Sequence, residues 1–259
     1  MMNWAPPRAD SAAVTVTVTD KAMLMDAIRT RLEGTGGFSV ATLNLDHAVK
    51  LAQDPAFRAA YAAHTHVTAD GNPVVWLSRL AGQDAVALVP GSELITPLAD
   101  MAAGLDVPVA LVGATQPSLE TAAAALKDQH AGLRIALCHA PSMGFDPTGA
   151  EADAVISAIA DSGARIVFLA LGAPRQECFA AHAQTTLPNC GFLSIGAGLD
   201  FISGAQTRAP SWVRRLAVEW LWRVLGNPRR LAARYGRCIL ILPGLTLRAL
   251  SCRMRRKQT

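Results

Sequence analysis

Apolar positions along the chain fall into two alternating textures. Residues 14–19 and 38–45 read as period-two strands, while residues 108–113, 133–138, 165–172 and 191–196 are almost unbroken apolar runs, three of them closed by glycine. Continuous apolar runs suit strands buried on both faces. Between them, residues 119–129, 149–162 and 174–186 carry apolar side chains at three- and four-residue spacing, which predicts helices. Strand and helix in alternation are the mark of a parallel α/β sheet, and ligands meet such sheets at the carboxyl ends of the strands.

The texture changes near residue 209. Pro210 suits a first helical turn, and Trp212, Leu216, Trp220 and Val224 follow at four-residue spacing with arginines between them, predicting an amphipathic helix as far as Gly226. A second helix is expected from Pro228, with Arg230 and Arg234 on one side at a spacing of four. The predicted architecture is therefore α/β, a Rossmann-like parallel sheet with flanking helices over residues 1–205, followed by a basic amphipathic helical appendage over residues 206–259. At 259 residues, 51% of them hydrophobic and 17% charged, the chain has the size and composition for one elaborated core, and a disordered chain is excluded.

The formal net charge of +4 conceals a division. Residues 1–205 hold 11 Lys and Arg against 19 Asp and Glu, a net of −8, whereas residues 206–259 hold 13 against the single acid Glu219, a net of +12. So basic a segment on an acidic body reads as a surface for an anionic partner: a phosphorylated ligand, a lipid headgroup or a nucleic acid. A nucleic-acid binder is the competing class, and the acidic body argues against it. Five scattered cysteines without a Cys-x-x-Cys spacing suit reduced thiols in the cytosol. No secretory leader is apparent in residues 1–20, and the longest apolar stretch, residues 238–247, is about half the roughly 20 residues a bilayer requires.

The predicted strand ends carry the polar punctuation. Gly113-Ala114-Thr115 and Gly172-Ala173-Pro174 each precede a helix, and Gly196-Ala197-Gly198 leads to Asp200. A helix N-terminus presents unpaired N–H groups and partial positive charge, so a phosphate can dock on backbone alone, although glycine at such a turn is equally often only steric. None of these turns is a Gly-x-Gly-x-x-Gly or Gly-x-x-x-x-Gly-Lys-Ser/Thr motif, which leaves dehydrogenase and P-loop readings without an anchor.

Three local patterns rise above this background. They are Thr42-Leu43-Asn44-Leu45-Asp46-His47, then Ala69-Asp70-Gly71 at the opening of a helix, and a series running through Gly172-Ala173-Pro174-Arg175-Gln176-Glu177, Gly196-Ala197-Gly198-Leu199-Asp200, Arg208-Ala209-Pro210 and Glu219-Trp220-Leu221-Trp222-Arg223 to Asn227-Pro228-Arg229-Arg230. In this order and combination, over residues 38–236, the chain resembles the WecG/TagA/CpsF glycosyltransferases, also called glycosyltransferase family 26. The resemblance implies an inverting enzyme at the cytoplasmic face of the inner membrane. It would move glucose, N-acetylmannosamine or its uronic acid from a UDP-sugar to a polyprenyl-diphosphate-linked sugar, in exopolysaccharide or cell-wall polysaccharide synthesis.

Transfer of this kind needs a base for the attacking hydroxyl and positive charge at the departing diphosphate. By resemblance Asp70 is the base; on the residues alone, an Asp-Gly pair is as readily an N-cap in a solvated turn. Thr42, Asn44 and Gln176 are implied to contact the nucleotide or sugar. No Asp-x-Asp occurs in the chain, so no metal or other cofactor is expected. The diphosphate charge then falls to the backbone at Gly113, Gly172 and Gly196 and to Arg214, Arg223, Arg230 and Arg234 of the tail. Glu177 and Asp200 are open between site roles and internal partners. Two departures stand out: Leu88 occupies a place where members commonly carry arginine, and the usual Gly-Tyr-Phe survives only as Gly144-Phe145. The tail's Trp212, Trp220, Trp222, Ile239, Leu240, Ile241, Leu242 and Leu245, among arginines, are expected to seat the protein on an anionic membrane surface; a homo-oligomer is compatible with the sequence.

Overall fold

The computed structural model of the chain describes residues 1–6, 12–207, 209–210, 213, 222 and 228–256, the side chains of Pro228 and Arg230 excepted. Six strands form one all-parallel sheet: β1 (Phe38–Leu43), β2 (His66–Ala69), β3 (Val109–Gly113), β4 (Ile135–His139), β5 (Ile166–Ala170) and β6 (Gly191–Ser194), in the order β2-β1-β6-β5-β3-β4. The apolar runs become strands because both faces are covered. Every residue of β1, β3 and β6 is buried, and alternate residues serve opposite layers: Val109 and Leu111 one core, Ala110 and Val112 the other.

On one face lie α1 (Lys21–Glu33), α5 (Ile95–Gly104), α6 (Gln116–Gln129) and the short α9 (Gly198–Ile202). The other face carries α7 (Ala150–Ser162) and α8 (Arg175–Thr186), joined toward the β2 edge by α2 (Leu45–Gln53), α3 (Pro55–Ala63) and α4 (Asn72–Leu80). The α/β expectation holds, with one correction. Residues 14–19 are extended, and Val14, Val16 and Val18 are buried as the alternation requires, yet they form no regular strand. Thr17 and Val18 N–H both donate to the Val67 carbonyl, while Val67 N–H donates to the Thr17 hydroxyl, so a side chain displaces the backbone ladder against β2. β2 itself escaped the hydrophobic pattern because two of its four residues, His66 and Thr68, are polar yet buried.

The last helix, α10 (Pro228–Arg256), is 29 residues long and continues through Pro243. At 1.5 Å per residue it runs about 43 Å, packing on α2 and α4. Leu245 and Ala249 are buried, and Ile241, Leu242 and Cys252 half-buried, in one core cluster with Met2, Trp4 and Val16; Arg248 fastens the helix by donating to the Asn3 and Ala5 carbonyls at 3.2 and 2.9 Å. Of the residues expected on a membrane-facing side, Ile241, Leu242 and Leu245 therefore face the body instead. Ile239 and Leu240 are exposed, as are Trp222, Leu247 and Met254. Among the described residues no helix is long and apolar enough to cross a membrane.

Candidate active site

The residues singled out in the sequence converge on the carboxyl edge of the sheet. Thr42 pairs with Thr68 and Leu43 with Ala69 in the β1–β2 register, and Asp70 extends that pairing by donating its N–H to the Leu43 carbonyl at 2.7 Å. Asp70 is half-buried. The N-cap of α4 falls on the next residue, Gly71, at φ +104, so Asp70 precedes the N-cap position rather than occupying it. Thr42 is buried and its hydroxyl donates to the Ser194 carbonyl at 3.4 Å, joining the ends of β1 and β6. Asn44 caps α2, its Oδ1 accepting the His47 N–H at 3.0 Å.

Three glycines, named together as phosphate contacts, separate in the structure. Gly113 has φ +111, and a Cβ there would stand 2.5 Å from the Ala170 carbonyl carbon, so close strand packing requires glycine. The helix that follows, α6, is capped by Thr115, whose hydroxyl accepts the Ser118 N–H at 3.4 Å. Gly172 and Gly196 also have positive φ, +71 and +57, but nothing lies within 4 Å of a Cβ at either. The helix after Gly172, α8, has no side-chain cap. At the start of α8 the Gln176 N–H donates to the Gly172 carbonyl at 3.1 Å, so what distinguishes this turn from that before α6 is the open space beside Gly172 rather than a row of free N–H groups.

Gln176, in the first turn of α8, bridges this region to the β6 end: its Oε1 accepts the Gly196 N–H at 3.3 Å and its Nε2 donates to Glu177 Oε1 at 2.8 Å. Gln176 and Glu177 are 2% and 0% exposed. The Asp70, Thr42, Asn44, Gln176 and Gly196 positions thus occupy the ends of β2, β1 and β6 and the start of α8. Gly113 lies four strands from Asp70, about 19 Å at roughly 4.8 Å per strand.

Under this rim, α2 brings His47, the last residue of the first sequence pattern, against Tyr61 of α3, which the sequence did not flag. His47 Nδ1 and the Tyr61 hydroxyl are 2.7 Å apart, both buried. Burial, with Lys50 nearby, lowers His47 to about 3, so its imidazole is neutral. Burial, with the charges of Glu177 and Asp70, raises the Tyr61 phenol well above its ordinary value. Nothing in the local pattern marks Tyr61, since an aromatic on an amphipathic helix reads as core.

The tail meets the site through Arg234, whose Nη2 lies 3.0 Å from Asp46 Oδ2 in the first turn of α2; Lys50 pairs with the same oxygen. Burial works against the Asp46 charge, but the Lys50 hydrogen bond and the Arg234 and Lys50 charges outweigh it and hold the carboxyl below its usual range. Arg214 and Arg223 lie outside the described residues, as does the side chain of Arg230. Asp200 is committed internally, accepting Ser118 Oγ at 3.1 Å and Gln206 Nε2 at 2.7 Å. Leu88 pairs with Ala69 in an isolated parallel bridge, 43% exposed, so an apolar side chain flanks the strand end that carries Asp70. Cysteine nucleophiles find no support: burial pushes the Cys178 and Cys190 thiols up to about 11 and about 12.

Comparison with known proteins accords with this arrangement. The model of the glycosyl transferase WecG/TagA/CpsF family matches residues 10–259. A protein of Bacillus spizizenii named N-acetylglucosaminyldiphosphoundecaprenol N-acetyl-beta-D-mannosaminyltransferase is 30% identical over 201 residues, covering 78% of this chain and 76% of that protein. A protein of the same name from Bacillus subtilis is 27% identical over 195 residues, covering 75% and 73%. The chain belongs to the WecG/TagA/CpsF family of glycosyltransferases.

Proposed function

We propose that this enzyme transfers a hexose, with inversion, from a UDP-sugar to a saccharide carried on polyprenyl diphosphate, in the synthesis of a cell-wall or exopolysaccharide precursor. The observation that carries the reading is the position of Asp70. A carboxylate ends β2, one strand from Thr42 and Asn44, on the same sheet edge as the start of α8. Asp70 takes the proton of an acceptor hydroxyl as that oxygen bonds to the donor's anomeric carbon; the bond from that carbon to UDP breaks, and its electron pair leaves with the diphosphate. A single displacement needs one base, and protonated Asp70 returns its proton to solvent. The negative charge that develops on UDP is met by the α8 N-terminus and by arginines of the tail, without a metal ion.

The acceptor class follows the names of the two Bacillus relatives, which specify a diphosphoundecaprenol-linked N-acetylglucosamine. The outer side of α10 suits a lipid-borne substrate. Ile239, Leu240, Leu247 and Met254 are exposed among Arg237, Arg253 and Arg255, and each arginine near an anionic surface contributes about 1 kcal/mol of attraction. The protein would then act peripherally, at the cytoplasmic face of the inner membrane.

The test is UDP release from UDP-glucose, UDP-N-acetylmannosamine and its uronic acid, each presented with a polyprenyl-diphosphate-linked N-acetylglucosamine acceptor, with and without EDTA. Acceptor-dependent release from one donor, unchanged by EDTA, is expected. No release from any of the three, or complete loss with EDTA, contradicts the proposal.

A further inference from the structure

Behind the Gln176 carboxamide sits an acid that the transfer reaction does not use. Glu177 is fully buried, its Oε1 accepts one hydrogen bond from Gln176, and its Oε2 has no partner among the described residues. The charged and titratable groups around it are few. From α2 come Lys50 and Asp46, already paired with each other, and neutral His47; from α3 comes Tyr61, bonded to His47; α8 adds Cys178, and Asp70 ends β2. β1 and β6, against which α8 also packs, carry no titratable side chain, and the Asp153–His182 pair between α7 and α8 is solvent-exposed. No described cation lies within ion-pair distance of Glu177. The Glu177 backbone N–H also bonds the carboxyl, yet a buried carboxylate with one bare oxygen is costly, and the cost favours the neutral acid.

The hydrogen bonds run in one direction from this acid to the site. Glu177 accepts from the nitrogen of the Gln176 carboxamide, which sets which end of that amide is oxygen, and the oxygen in turn accepts the Gly196 N–H. Gly196 is left-handed and has no atom within 4 Å of where a Cβ would stand, so its own N–H is held by the Gln176 carboxamide and not by packing at that residue. We propose that Glu177 is a positioning residue for donor binding, fixing the Gln176 carboxamide, and through it the Gly196 turn, in one orientation before the nucleotide-sugar arrives. The inference rests on the UDP-sugar reading of the site.

Ionisation of Glu177 places an uncompensated charge beside Tyr61 and on the same side of the sheet as Asp46 and Asp70. Burial raises this acid from 4.5 to about 7, so the disturbance falls in an accessible range. The sign is fixed by linkage: the folded state keeps the proton where the unfolded chain releases it, so any stability owed to the neutral acid is present below about pH 4.5 and lost as pH rises to about 7.

The experiment measures UDP-sugar affinity by calorimetry at about pH 6 and about pH 8.5, and thermal unfolding across that range and down to about pH 4.5, for the parent, Glu177→Gln and Glu177→Ala. The parent is expected to lose affinity severalfold between the two pH values. Glu177→Gln, neutral throughout and still able to accept from Gln176, should bind within about threefold of the parent at the lower pH without the decline, while Glu177→Ala binds at least tenfold more weakly at both. The melting temperature of the parent should fall relative to that of Glu177→Gln as pH rises from about 4.5 to about 7. Parent-like affinity in Glu177→Ala, or an unaltered pH profile in Glu177→Gln, overturns the positioning role, as does a melting-temperature gap that does not move with pH. Should the parent bind no UDP-sugar while that gap does move, the buried acid stands and the donor reading fails.

Discussion

Two turns that look alike in sequence, Gly113-Ala114-Thr115 and Gly172-Ala173-Pro174, behave differently in the fold. Each is a glycine at positive φ between a parallel strand and a helix. At the first, the glycine is pressed on the backbone of Ala170 and the helix is capped by Thr115; nearby, both oxygens of Asp200 are held by Ser118 and Gln206. At the second, the glycine faces open space, the helix has no side-chain cap, and the next buried side chain, Gln176, reaches across to the end of β6. One glycine is wedged against a neighbouring strand and the other borders open space; what separates them is the room around one hydrogen atom, which a Gly-x-x pattern does not record.

The largest effect that can break this contrast is steric. Gly172 at φ +71 lies near the left-handed region an alanine can adopt and meets nothing, whereas Gly113 at φ +111 lies outside it and faces the Ala170 backbone. The difference between the two alanine variants therefore reports both strain and clash at Gly113. Gly113→Ala should be less stable than Gly172→Ala by about 2 kcal/mol in a denaturant melt, and equal losses would mean that the two turns are equivalent. A smaller effect tests the caps. Thr115→Ala should cost about 1 kcal/mol of stability and leave UDP-sugar affinity unchanged, as expected of a donor site at the β2–β1–β6 end of the sheet edge. A weakened affinity in a variant that remains folded would move the diphosphate toward β3.

The fold was legible where burial is two-sided. The runs that became β3, β5 and β6 are apolar but for Ser194 at the end of β6, because helices cover both faces of a parallel sheet. It was illegible where polar residues are buried by satisfying one another. Thr68 donates to the Val89 carbonyl and Thr17 accepts from Val67, so β2 and its neighbouring segment carry their bonds in side chains that a hydropathy pattern reads as surface. The tail shows a third case: from Ile239 to Leu245 the chain is continuously apolar, and the sequence alone does not tell Leu240, exposed, from Leu245, buried against the body.

For the site, motif and geometry divided the work. Asp70, Thr42, Asn44 and Gln176 were named from their patterns, and the sheet register brings them to neighbouring strand ends. Glu177 was left between alternatives because caps, ion pairs and buried acids share one letter; only its lack of a second partner distinguishes them. His47 stood in the first pattern but Tyr61 gave no signal, since the bond between them joins two helices and has no sequence spacing of its own.

The account depends most on one carboxylate. The direct measurement compares the single-turnover rate of Asp70→Asn with that of the parent under saturating UDP-sugar and lipid-linked acceptor, with donor affinity measured on the same preparations. A rate lower by 10²–10⁴ at a donor Kd within about threefold of the parent is expected of a lost general base. A rate within twofold of the parent would contradict the assignment and move the chemistry away from the end of β2.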